Sequence, residues 1–163
     1  MRVIKDRRIV DDDWVLLAAD SALPATGDVI VSLSQWNEAL QAGGFAGRAG
    51  KVGVRLKSNE SPEQIQALEQ APLIAIEFPS FTDGRGYTSA RLLRDRHGYR
   101  GELRAVGDVL RDQLFYMARC GIDSFALKAG KDIEGALSAF LDFSVTYQAA
   151  ADDRRPLFRR VSR

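Results

Sequence analysis

From residue 28 onward, short apolar runs alternate with segments that are apolar on one side only. Val29-Ile30-Val31 precedes Ser34–Leu40, residues 51–56 precede Ser61–Leu68, and Leu73–Phe78 precedes a segment opening near Gly84. Leu103–Val106 precedes residues 109–120, and Ser124–Leu127 precedes residues 133–141. In the second member of each pair the apolar positions recur with a helical period: Leu110, Leu114, Met117 and Ala118 form one stripe, and Ile133, Ala136, Leu137, Phe140 and Leu141 another. Cap residues mark the boundaries. Ser34 reads as an N-cap, Ser61-Pro62 with Gln64 as a capping box, and Gly121 as the stop after Cys120. Before this rhythm, Val3-Ile4 and Ile9-Val10 flank a charged turn, so residues 1–17 read as a β-hairpin; Ser144–Tyr147 reads as a last strand. Strands alternating with helices predict an α/β fold with a mostly parallel sheet and right-handed crossovers. Five such units fit either an open doubly wound sheet or a partial barrel.

Composition adds bounds. With 163 residues, 45% hydrophobic and 28% charged, the chain reads as one α/β domain over 1–151, followed by an Arg-rich tail over 152–163. That tail, with Leu157-Phe158 between its arginines, is either a docking segment for an acidic partner or a solvated end. A net charge of +1 gives no general reason to expect nucleic acid or an anionic membrane as partner. The chain lacks an apolar run of the roughly 18 residues that a membrane span needs, and its first residues are not those of a secretory signal. With a single cysteine the expectation is a cytoplasmic protein.

The stretch Phe78–Arg91 carries the chemistry. It follows an apolar strand, bears Gly84-Arg85-Gly86, and leads into a helix, which is where parallel α/β domains place ligands. Ser89 stands where the dinucleotide fingerprint has its third glycine, and the chain has no Gly-Lys-Ser/Thr phosphate loop. One cysteine and one histidine do not furnish an iron–sulfur or zinc ligand set, so no cofactor is recognisable and no metal is expected. Arg85 beside the free amides of a helix start suggests a site for a carboxylate, phosphate or sulfur oxyanion. Thr82, Asp83, Tyr87 and Thr88 accompany it, and Arg55, Lys57, Lys128 and Asp108 reach the same sheet edge from other strands. Asp83 and Asp108 are the candidates for general acid/base work. The competing reading pairs Arg85 with Glu77, Asp83 or Asp108. Asp11-Asp12-Asp13 reads as a solvated turn, Arg91 and Arg94 as a solvated basic face, and His97 and Cys120 as structural.

Phe78–Ala90 followed by Leu92-Leu93-Arg94, Gly101–Val109 and Arg119–Phe125 resemble a bacterial family named domain of unknown function 934. The resemblance spans most of the chain and is strongest over 77–127. It implies a place beside the genes of assimilatory sulfite reduction, where such proteins are labelled oxidoreductases. The expectation is an accessory protein of sulfite and sulfate assimilation that binds an anionic ligand at the 80–88 turn or docks on the sulfite reductase. The alternative is an enzyme acting on a small anionic substrate. The implied site centres on Thr82, Asp83, Arg85, Tyr87 and Asp108.

Overall fold

The computed structural model describes residues 1–19 and 21–160. Its strands are β1 (Arg2–Lys5), β2 (Arg8–Asp11), β3 (Val15–Leu16), β4 (Val29–Ser32), β5 (Val52–Leu56), β6 (Leu73–Phe78), β7 (Glu102–Gly107) and β8 (Ser124–Phe125). Its α-helices are α1 (Leu33–Gln41), α2 (Arg85–Asp95), α3 (Leu114–Arg119), α4 (Ile133–Ala136) and α5 (Leu157–Arg160).

All eight strands form one sheet in the order β2-β1-β8-β7-β6-β5-β4-β3. From β3 to β8 each strand is laid parallel beside the one before it, always on the same side. A doubly wound sheet would reverse that direction once, and this one does not. Right-handed crossovers that always advance one way put the helices on one face. The core follows this rule. Val31, Val54, Ile74, Ile76, Phe78, Leu103 and Phe125 pack there against Leu33, Trp36, Ala90, Leu93, Leu114 and Met117.

The other face curls inward, for a reason of chain length. Between β2 and β3, at opposite ends of the strand order, lie only Asp12, Asp13 and Trp14. Seven strand spacings would separate those ends by roughly 34 Å in a flat sheet. The chain from Asp11 to Val15 reaches at most about 14 Å. The sheet therefore curls into a half-barrel, and residues 12–14 strap its concave side. There Trp14 packs on a smaller cluster of Ile30, Leu73, Ala75 and Val106.

Several expected boundaries move, each for a local reason. Ser32, not Ser34, caps α1, through a capping box with Gln35. Ser61 and Gln64 do form their capping box, but only a 3-10 turn follows (Pro62–Gln64). Asn37 donates to the Gln64 carbonyl and accepts from the Gln66 N–H, while Trp36 donates to the Gln66 carbonyl, so α1 takes up the groups that a helix over 61–68 would need. α3 begins late because Leu110 is extended, with Gln113 capping it. Residues 144–147 form no strand, and Val145 and Tyr147 stay exposed. Residues 161–163 of the Arg-rich tail lie outside the described residues.

Asp12 is the largest departure from the expected solvated turn. It is buried, and its carboxylate takes both terminal nitrogens of Arg104 (2.7 and 2.8 Å). Asp11 and Asp13 are exposed, so the three acids do not converge. Arg94 is not a solvated cation either. It donates to the carbonyls of Tyr99, Gly101 and Gly121 and to Asp123, tying α2 to the strands.

Candidate functional site

The C-terminal edge of the sheet divides into two zones, one on each side of the 79–84 loop. On the helix side, Gly84 occupies the N-cap of α2 and offers no side chain, so Asp83 takes its place by accepting the Arg85 N–H (3.1 Å). The same carboxylate receives the Arg85 side chain at Nε (3.0 Å) and Nη2 (2.6 Å). These bonds hold the Asp83 carboxyl well below the usual carboxylate range. Arg85 also reaches Ser58 Oγ (3.0 Å), so its guanidinium is engaged locally rather than left for an anion. Thr82 faces Ser80 (3.2 Å), and Thr88 lines a groove with Ser58, Ser61 and Ser89. Tyr87 turns inward between Phe78 and Tyr116, and burial pushes its phenol up. At the turn Arg85 is thus paired with Asp83 while its side chain stays exposed beside that groove.

The concave side is different. Strand pairing aligns Ser32, Arg55, Ala75, Arg104 and Ser124 in one row across β4 to β8. Glu77 stands two residues beyond Ala75 and beside Val106, on the same face. Arg55 Nε and Glu77 Oε2 are 3.6 Å apart, too far for a hydrogen bond. Both atoms are buried and have no hydrogen-bond partner among the described residues. Asp108 Oδ1 is buried too, but Lys128 Nζ meets it at 2.8 Å. Lys128 and the Phe81 amide hold the Asp108 carboxyl below its ordinary value. At neutral pH Asp83 and Asp108 are carboxylates, so either could accept a proton and neither is an acid donor.

Gly107 sets the course of this edge. Its φ is +97°, and a side chain there would collide with the Phe78 carbonyl, to which the Asp108 amide donates (2.7 Å). The close approach joins the end of β7 to the 79–84 loop and fixes Asp108 beside Lys128. Next to it opens a cleft of about 620 Å³, lined by Trp14, Leu16, Ile30 and Val106 and also by the charged Asp12, Asp13, Arg104 and Lys128.

Of the residues expected at the site, the structure groups Asp83, Arg85 and Thr88 on the helix side, and Arg55 with Glu77 and Asp108 with Lys128 on the concave side. Glu77 as a site group and Trp14 as a wall were not expected from the sequence. A charge at an inward position of an apolar strand, as at Arg55, Glu77 and Arg104, is the signal that could have found the first. His97 stands at the far end of α2 beside Glu63 (3.6 Å), and Cys120 is buried, as structural roles require.

A family described as bacterial protein of unknown function (DUF934) matches residues 53–158. The chain belongs to this family. No curated protein and no solved structure matches it. The matched DUF934 span runs from within β5 into α5 and holds Arg55, Glu77, the 79–84 loop, Asp108 and Lys128. Asp12 and the strap of this DUF934 chain precede it. Among the described residues, no helix is long and apolar enough to cross a membrane.

Proposed function

We propose that this DUF934 chain is a cytoplasmic accessory protein of assimilatory sulfite reduction that holds a small anion-bearing ligand at the strand ends of its concave face. One observation carries the ligand site: Arg55 Nε and Glu77 Oε2 are buried, 3.6 Å apart, and without hydrogen-bond partners among the described residues. Such atoms are costly in a native protein unless water or a ligand completes them. They lie where open α/β sheets and barrels receive ligands, at the carboxyl ends of parallel strands. The pathway assignment is supported by the gene association that the resemblance implies.

Two experiments test the two halves. Melting temperature measured against sulfite, sulfate and phosphate should rise in the wild type and not in Lys128→Met, a change at a half-exposed side chain. Absence of any Lys128-dependent shift with anion-bearing ligands of any kind counts against the site. Deleting the gene should impair growth on sulfate and sulfite but not on sulfide; equal growth on all three overturns the pathway.

A second reading, an enzyme, is favoured by Asp108, an ionised carboxylate beside an ammonium at the cleft rim. As a general base it would act on a bound substrate, and Asp108→Asn would then abolish turnover while leaving binding in place.

A further inference from the structure

Residues 141–147 invert the usual rule of burial. In Leu141-Asp142-Phe143-Ser144-Val145-Thr146-Tyr147 apolar and polar residues alternate strictly, the pattern of a half-buried strand. The segment forms no strand within the chain. Instead the protein holds its polar set and turns its apolar set out. Arg111 grips Asp142 (2.7 and 3.0 Å), and Arg160 donates to the side chain and the carbonyl of Thr146 (3.0 and 2.8 Å). Leu141, Phe143, Val145 and Tyr147 are 80%, 63%, 64% and 85% exposed. The backbone is equally open: no amide from Phe143 to Ala149 bonds a backbone carbonyl among the described residues. Apolar side chains at alternate positions beside open backbone groups are what a sheet edge offers to another strand.

We propose that this segment is a self-association strand, which pairs antiparallel with the same segment of a second copy of the chain. Its own symmetry selects that occupant. Centred on Ser144, a two-fold pairing sets Leu141 opposite Tyr147 and Phe143 opposite Val145, and directly opposed residues share a face. The apolar residues of both copies then meet on one face, with an aromatic ring against an aliphatic chain in every pair. The charges fit as well. Asp142 comes opposite Thr146 of the second copy, beside the Arg160 that holds it, and symmetry makes this contact twice. From Phe143 to Ala151 the sequence carries no charge, so no like charges oppose the pairing. Arg160 occupies the Thr146 carbonyl and Arg119 the Gln148 carbonyl, which leaves the odd-numbered residues to form the ladder.

Sedimentation velocity over a dilution series of the wild-type chain tests this directly. The expected species is a dimer that falls to the mass of one chain on dilution. Val145→Lys, a change at an exposed position, should be monomeric throughout the series with an unchanged circular dichroism spectrum. Ser144→Cys reads the register. Residue 144 meets its counterpart across the two-fold, where opposed Cα atoms stand about 4.5 Å apart, within reach of a disulfide. Under mild oxidation Ser144→Cys should therefore give a covalent dimer. The wild type, whose Cys120 is buried, and Ala129→Cys, at an exposed position elsewhere, should not. A chain that stays monomeric at every concentration overturns the proposal and leaves the apolar row to an unlike partner. A dimer that survives Val145→Lys, or one that Ser144→Cys does not link, overturns it as well, because the copies then meet elsewhere or in another register.

Discussion

Arg104 and Arg55 occupy the same row of the same face, on either side of Ala75, and their surroundings are opposite. Arg104 is 2% exposed, and each of its three nitrogens is met. Nη1 and Nη2 hold Asp12, Nε and Nη2 hold Glu102, and Nε also reaches Ser124. Lys5 completes the cluster by donating to the other oxygen of Glu102 (2.6 Å). Arg55 has one carboxylate beyond hydrogen-bond range and an Nε with no partner among the described residues. The first arginine is structure. Its saturated cluster nails the 12–14 strap to β7 and so holds the sheet in its curl. The second is left unpaired by the fold alone, and the proposed ligand site rests on that contrast.

The largest test of the contrast is Arg104→Met. It leaves Asp12 buried without its cation and Glu102 with Lys5 alone, and breaking a buried pair in this way costs about 3–5 kcal/mol. Urea unfolding should show a loss of that size, and Trp14 emission should shift to the red as the strap loosens. A loss under about 1 kcal/mol would mean that the cluster is not what holds the strap.

Next in size is the acid limb of stability, which the same cluster should dominate. Burial alone would raise the Glu102 carboxyl, but the hydrogen bonds and charges of Lys5 and Arg104 outweigh it and set it below its ordinary 4.5. A group lowered on folding stabilises the native state above its unfolded pKa, and that contribution is lost as pH falls through the folded value. Stability should therefore decline below about pH 4.5 in part through Glu102. Glu102→Gln should lower stability at pH 7 and flatten this decline; an unchanged slope would mean that Glu102 plays no part in it. Lys5, raised above 10.5 by its bond to Glu102, contributes below that pH, and its share goes as pH climbs through the raised value.

Arg55→Met should have a smaller effect, about 1 kcal/mol or less, because it removes a poorly bonded pair rather than a saturated one. The double variant Arg55→Met/Glu77→Leu should be neutral or more stable than the wild type while losing every ligand response of the strand-end site. If Arg55→Met destabilises as much as Arg104→Met, the two arginines are alike and the contrast between them fails.

How much of this the sequence disclosed follows from what each feature depends on. The parallel sheet was legible because Val29–Val31, Leu73–Phe78 and Leu103–Val106 are mainly apolar runs, with Glu77 and Arg104 the one charge in each of the last two. The Asp83–Arg85 contact was legible because its partners are two residues apart. The Asp12–Arg104 pair joins residues 92 apart, and it exists only because the sheet curls far enough for three residues to cross it. The helix over 61–68 failed for a related reason. Its capping box formed, but Trp36 and Asn37 of another element took the backbone groups of residues 64–66. Local pattern sets the elements; the strap and the concave site depend on how the sheet closes.

The smallest expected effect belongs to the pair that was easiest to see. Asp83 is held ionised by Arg85, yet the Arg85 side chain is 62% exposed, and the two bond within one turn of chain. Solvent screens such a pair, and Asp83 acts chiefly as a substitute cap that Gly84 cannot provide. Asn can also accept the Arg85 N–H, so Asp83→Asn should leave the unfolding midpoint within error and leave binding at the concave site unchanged. A clear loss of ligand binding in Asp83→Asn, with stability intact, would move the site back to the helix side of the 79–84 loop. Arg55 would then be an imperfect structural pair, and Arg85, released from Asp83 by a ligand, the recognising cation.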